Sequence, residues 1–167
     1  MKRTIFYAAV LLLITSCTMS YKFNGASIDY DVTKTIMISD FPNQAPLVYP
    51  PLEQRFNEEL KDLFTRSTRL QFVKQNADLE MEGEIVGYEL TPLAVQEDSF
   101  ASETRLTLTV RMRYRNNKVP GQDREETIKA FRNFPADRML TDVQDQLIGE
   151  LIEEITDQIF NSTMSNW

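Results

Sequence analysis

Residues 104–115 alternate without a break, with Leu106, Leu108, Val110, Met112 and Tyr114 on one parity and Thr107, Thr109, Arg111, Arg113 and Arg115 on the other. A period of two over this length fits a β-strand and no helix, because successive strand side chains point to opposite faces. One face is apolar and the other polar or cationic, so the sheet it joins is covered on one side only. The rest of the chain must supply that cover.

Two amphipathic segments can do so. In residues 51–66, Leu52, Phe56, Leu60, Leu63 and Phe64 form one helical stripe, and Pro51 sits near the first helical position, where a missing N–H is harmless. In residues 141–161, Val143, Leu147, Leu151, Ile155 and Ile159 form a second stripe, widened by Ile148, Ile152 and Phe160. Thr141 and Gln144 fit a capping box at its start, with Asp142 well placed against the helix dipole.

Further strands are expected at 34–41, broken by Pro42-Asn43, at 78–90 and at 125–134, the last antiparallel to 104–115 across the short turn 116–121. Within 78–90 the apolar parity changes near Gly83 and Gly87, which predicts a bulge or bend, and Pro92 should end or kink the strand. Residues 70–73 suit either a short strand or a connection. The order β-α-β-β-β-α predicts an α+β fold: a two-layer sandwich with two helices on one face of a mainly antiparallel sheet of about four strands. The strand order does not follow from the sequence.

The N-terminus carries a different message. Lys2 and Arg3 precede the apolar run 5–14, whose length suits a signal sequence and is about half of what a membrane-spanning helix needs. Ile14-Thr15-Ser16-Cys17 then resembles a bacterial lipobox, in which the cysteine thiol takes a diacylglyceryl group and the new amino group is acylated. Two or three chains anchor where one is marginal. The plainer readings are a secretory signal with a chance cysteine, or a buried free thiol. Cys17 is the only cysteine, and its place at the cleavage point favours the anchor. The domains expected are thus 1–16 as a removed signal peptide, 17–31 as lipidated cysteine and tether, and 32–167 as a single α+β domain.

Loss of the leader leaves 16 basic against 25 acidic residues, a net charge of −9. Such a chain is a poor partner for nucleic acid. It has no histidine, no glycine-rich phosphate loop and no selected pair of carboxylates, so neither catalysis nor a metal or other cofactor is expected. Glu58, Glu59, Asp62, Glu150, Glu153 and Glu154 fall mainly on expected solvent faces. The candidate binding surface is the row Arg111, Arg113 and Arg115, spaced by about 6.5–7 Å on one strand face. Guanidinium groups in a row suit phosphates or carboxylates. The bland alternative is a solvated face whose arginines, with Arg105 on the same parity, pair with cross-strand glutamates such as Glu125 or Glu126.

Several runs then look familiar: Tyr21-Lys22-Phe23-Asn24-Gly25, Phe41, Pro51-Leu52 with Phe56, Asp78-Leu79-Glu80, Gly87-Tyr88, Thr91-Pro92, the strand from Arg105 to Val110, and the tail from Ile159-Phe160-Asn161 to Asn166-Trp167. In this order they resemble the LptE-like lipopolysaccharide-assembly outer-membrane lipoproteins, in their Bacteroidetes-type branch. The resemblance implies two helices against a four-stranded sheet and no enzymatic activity. It implies a partner, the LptD-like outer-membrane β-barrel translocon, which the lipoprotein plugs and helps to assemble. It also implies contact with lipopolysaccharide, with Arg111, Arg113 and Arg115 the candidates for lipopolysaccharide or barrel contact; the acidic balance fits the scaffold role better than simple lipid binding. Thr18 rather than Asp follows the cysteine, and 18–24 has no acidic cluster, so the expected location is the outer membrane, facing the periplasm. The rival readings are a lipoprotein subunit of another envelope machine and a periplasmic hydrolase.

Overall fold

The computed structural model describes residues 28–93 and 102–164. The expected signal peptide 1–16, Cys17, the segment 21–25 and the residues 165–167 lie outside the described residues.

The described chain runs β1 (Thr35–Ile38), α1 (Pro51–Ser67), β2 (Gln71–Phe72), β3 (Leu79–Leu93), β4 (Glu103–Asn116), β5 (Arg124–Pro135) and α2 (Leu140–Met164). The sheet order is β2-β1-β3-β4-β5, with β1 parallel to both neighbours and β3, β4 and β5 an antiparallel meander. This is the expected α+β sandwich, with five strands instead of about four. The additional strand is β2, whose two residues are too few to show a period; its pairing is made by backbone bonds from Gln71 and Val73 to the carbonyls of Lys34 and Ile36.

β1 is shorter than the expected 34–41. Beyond Ile38 the chain stays beside β3 irregularly: Ser39 N–H donates to Met81 O, and Ile85 N–H to the carbonyl of Pro42. Phe41 therefore reaches the core from outside a regular strand. Its backbone N–H and carbonyl are both bonded by the buried Asn57 side chain of α1, at 2.8 and 3.2 Å. Phe41 stacks on Phe56 at 5.4 Å and leaves no room at Gly83, where an added Cβ would lie 2.2 Å from its ring. Of the two glycines expected at a bulge, only Gly87 adjoins one, since the register slips between Ile85 and Gly87. Gly83 is instead the floor under Phe41.

Pro92 neither ends nor interrupts β3, which continues to Leu93. Its partner Thr104 bonds to β5, given the Ala136-to-Ser102 bond and the alternation of an antiparallel ladder, so the missing donor of Pro92 points away from β4. The helical stripes bury as expected, with Phe64 and Phe160 joining the two helices edge to face at 5.2 Å. The capping box does not form. Thr141 lies inside α2, past the N-cap position, and the Gln144 side chain is turned to the buried Tyr88, its amide donating to Oη at 2.6 Å. Glu150 and Glu154 stay partly solvent-exposed, as expected, and there pair with Arg132 of β5 at 2.9 and 2.6 Å.

Candidate functional site

Among the described residues nothing covers the sheet face away from the helices, and the odd-numbered side chains of β4 stand on it. Arg111, Arg113 and Arg115 do form one row there, as the alternation requires. Register then decides what they meet. β3 places Glu84, Glu82 and Glu80 directly opposite the three arginines. Arg111 bonds Glu84 through Nε at 3.1 Å and Nη2 at 2.5 Å. Arg113 lies between Glu82 and Glu125, at 3.4 Å from each, and Arg115 is 3.5 Å from Glu80.

The row is therefore a ladder of paired charges, three arginines against four glutamates. Glu125 is a partner as expected; Glu126 is not, because it is paired with Met112 and so stands on the helix side. The β3 glutamates were missed from sequence. Their signal, alternation with Met81, Gly83 and Ile85, is visible, but only the β3–β4 register shows that they face the arginines. Each guanidinium keeps just over half its side-chain surface in solvent. Pairs this exposed contribute at most about 1 kcal/mol each. A free anion gains little at such a face unless it displaces a glutamate, whereas a second surface with alternating charges can exchange partners with it.

Along the same face the ladder gives way to an apolar spot. Arg105 lies over the ring of Phe131 at 4.1 Å, and its Nε donates to Asn133 at 3.1 Å. Phe131 is half exposed because it falls out of phase with the buried Ile128, Ala130 and Phe134. Between Glu82, Glu84, Arg111 and Arg113 the face holds a shallow depression of about 430 Å³. Among the described residues no group of three metal-ligating side chains converges, and no helix is long and apolar enough to cross a membrane.

Asp78 anchors the edge of this face. Its carboxylate accepts the backbone N–H groups of Lys34 and Thr35 at 2.8 and 3.0 Å and pairs with Lys118 at 3.1 Å, tying the starts of β1 and β3 to the β4–β5 turn. The Lys34 N–H above all, against a smaller opposing effect of burial and with help from Lys118 and Thr35, lowers its pKa from 3.8 to about 2. A depressed carboxylate pKa stabilises the fold above the unfolded value and loses that contribution as pH falls through the folded one. We expect Asp78→Asn to lower stability by roughly 2 kcal/mol at neutral pH. Urea titrations at pH 6 and pH 2.5 check this, because the gap between parent and variant should narrow at the lower pH; a gap independent of pH contradicts the assignment.

A family model described as LptE, lipopolysaccharide-assembly, matches residues 33–163. No curated protein matches the sequence. Among solved structures, a minor lipoprotein from Acinetobacter baumannii is similar, with a TM-score of 0.50 and 19% identity over 78% of this chain and 91% of that one. A lipoprotein B from Nitrosomonas europaea gives 0.50 and 17% over 77% and 80%. A protein from Xanthomonas campestris gives 0.53 and 11% over 80% and 85%. At these identities the neighbours show the fold alone.

Proposed function

The chain belongs to the LptE lipopolysaccharide-assembly family, and from that membership we propose that it is an outer-membrane lipoprotein, held by the lipid on Cys17 and facing the periplasm, that plugs and helps to assemble an LptD-type β-barrel translocon. The observation that carries this reading is the extent of the match: residues 33–163 take in α1, all five strands and all but the last residue of α2. The open face adds support. The lumen of a large outer-membrane barrel is polar, and a ladder of exposed, exchangeable ion pairs suits it better than an apolar face would. The domain division follows the same reading: leader 1–16, lipidated cysteine and tether 17–31, assembly domain 32–167. In this role the protein positions and supports, with no catalytic step of its own.

Affinity purification of the full-length protein from native outer membranes, followed by mass spectrometry, tests the proposal. The expected result is a large β-barrel subunit in near-equal amount. Recovery of the subunits of a different envelope machine in its place overturns it.

Arg111, Arg113 and Arg115 are assigned to the barrel contact. Changing all three to Gln removes the cations without placing new carboxylates beside Glu80, Glu82, Glu84 and Glu125. The fold should survive, since these are exposed positions. Barrel affinity at low salt should fall by about tenfold, equivalent to about 1.4 kcal/mol. That difference should shrink at physiological ionic strength, where screening acts over about 8 Å. Binding to lipopolysaccharide, measured in parallel, separates the two ligands: a loss confined to lipopolysaccharide moves the row to lipid contact. A folded triple variant that matches the parent for both ligands reduces it to a solvated face.

A further inference from the structure

β5 is the long outer edge of the sheet. It pairs with β4 over twelve positions with no register shift, and among the described residues no strand lies on its other side. The Ala136 N–H donates to Ser102 O, which sets the phase of the ladder: even-numbered residues of β5 bond to β4, so the N–H and C=O groups of Glu125, Thr127, Lys129, Phe131 and Asn133 point outward. One of these is already covered, since Arg132 Nη1 donates to the carbonyl of Phe131 at 3.0 Å. The stretch from Glu125 to Lys129 has no such cover among the described residues and contains neither proline nor bulge, two devices that protect edges from pairing.

Beside that same stretch, between β5 and the C-terminal half of α2, runs a groove of about 460 Å³. Arg124, Glu126, Gln158, Asn161 and Ser162 line its polar parts, and Ile128 is its apolar floor. A free strand edge flanked by a strand–helix groove is the geometry of strand addition, in which backbone bonds give affinity and the groove receives alternate side chains. Only an extended chain presents donor and acceptor pairs at the two-residue spacing of the edge, about 6.8 Å.

We propose that the β5 edge from Glu125 to Lys129, with the groove beneath it, accepts an extended segment of a partner protein as a sixth strand. That segment places one apolar side chain over Ile128, flanked by polar residues, and on the open face an acidic residue beside Lys129. Arg132, by covering the Phe131 carbonyl, limits the added strand toward Pro135. The inference rests on the assembly reading above only for where the partner comes from.

Hydrogen exchange at single-residue resolution tests it on the unmodified full-length protein, labelled in native outer membranes and, separately, after purification away from partners. In the purified protein the amides of Glu125, Thr127 and Lys129 should exchange fast while those of Glu126 and Ile128, bonded to β4, exchange slowly. In native membranes the odd-numbered three should slow by at least about tenfold, giving a uniformly protected strand. Lys129→Pro removes only an outward donor and should abolish the protection of Glu125 and Thr127, whereas Lys129→Ala keeps the donor and should leave it intact. Odd-numbered amides that exchange equally fast in both preparations overturn the proposal, even when a barrel copurifies. Protection without any barrel supports the edge site and counts against the translocon reading alone.

Discussion

Leu108→Asp is expected to abolish the folded protein. Leu108 is fully buried on the helix-facing side of β4, between Tyr88 of β3 and Ala130 of β5. The substitution removes a packed side chain, at about 2–5 kcal/mol, and adds a carboxyl group with no partner, at several more. The sum is comparable to the whole stability of a domain of this size, about 5–15 kcal/mol. The purified variant should lose the cooperative melt and bind hydrophobic dyes, and in cells its level should fall. Leu108→Ala, which creates only the cavity, should stay folded at a lower melting temperature. Thr127→Asn, exposed on the open face of the neighbouring strand β5, should melt within a few degrees of the parent, because exposed changes usually cost less than about 0.5 kcal/mol. A Leu108→Asp protein that melts like the parent would mean that this side of β4 is not packed against the helices.

The second large effect lies at the anchor. With Cys17→Ala the full-length protein should lose all incorporated fatty acid and leave the outer-membrane fraction. Without the thiol there is nothing to acylate, and the lipobox peptidase cannot cut. A lipid chain contributes about 0.8 kcal/mol per buried CH₂, and stable anchoring takes more than one chain. The parent should label with radioactive palmitate, sediment with outer membranes and resist protease added to intact cells. A Cys17→Ala protein that still carries label in the outer membrane places the anchor elsewhere, and digestion of the parent on intact cells contradicts the periplasmic orientation.

Leu108 shows where sequence was sufficient, and the arginine row on the opposite face of the same strand shows where it was not. Leu108 was readable as core because an alternating strand has one buried face whichever strands flank it; the helix stripes from Leu52 to Phe64 and from Val143 to Ile159 were readable for the same reason. The bulge announced itself as a parity change, and its seat at Val86, beside Gly87, agrees with the register. The row Arg111, Arg113 and Arg115 was legible as a row. Its neutralisation was not, because Glu80, Glu82 and Glu84 lie more than twenty-five positions away in the chain and are opposite only in one register.

Phe41, Asn57 and Gly83 make the same point inside the core. Alone, each is ambiguous: an aromatic past a strand end, a polar residue beside a helix stripe, a glycine in a strand. Together they form one contact, in which Asn57 bonds the backbone of Phe41 and the Phe41 ring occupies the space a Gly83 side chain would fill. Gln144 likewise chose a distant partner, Tyr88, over the local capping role its neighbours in sequence suggested, and Glu150 and Glu154 found theirs in Arg132 of β5.

By itself the sequence determined the two amphipathic helices, the one-sided sheet and so the two-layer α+β sandwich, because apolar periodicity is a local property that dictates which face of each element must leave water. Only the tertiary structure decided the strand order, the short fifth strand, the pairing of the arginine row and the place of β5 at the sheet's edge among the described residues. Those depend on backbone hydrogen bonds, which every residue but proline can make in either direction and which no side-chain pattern distinguishes until the strands have met.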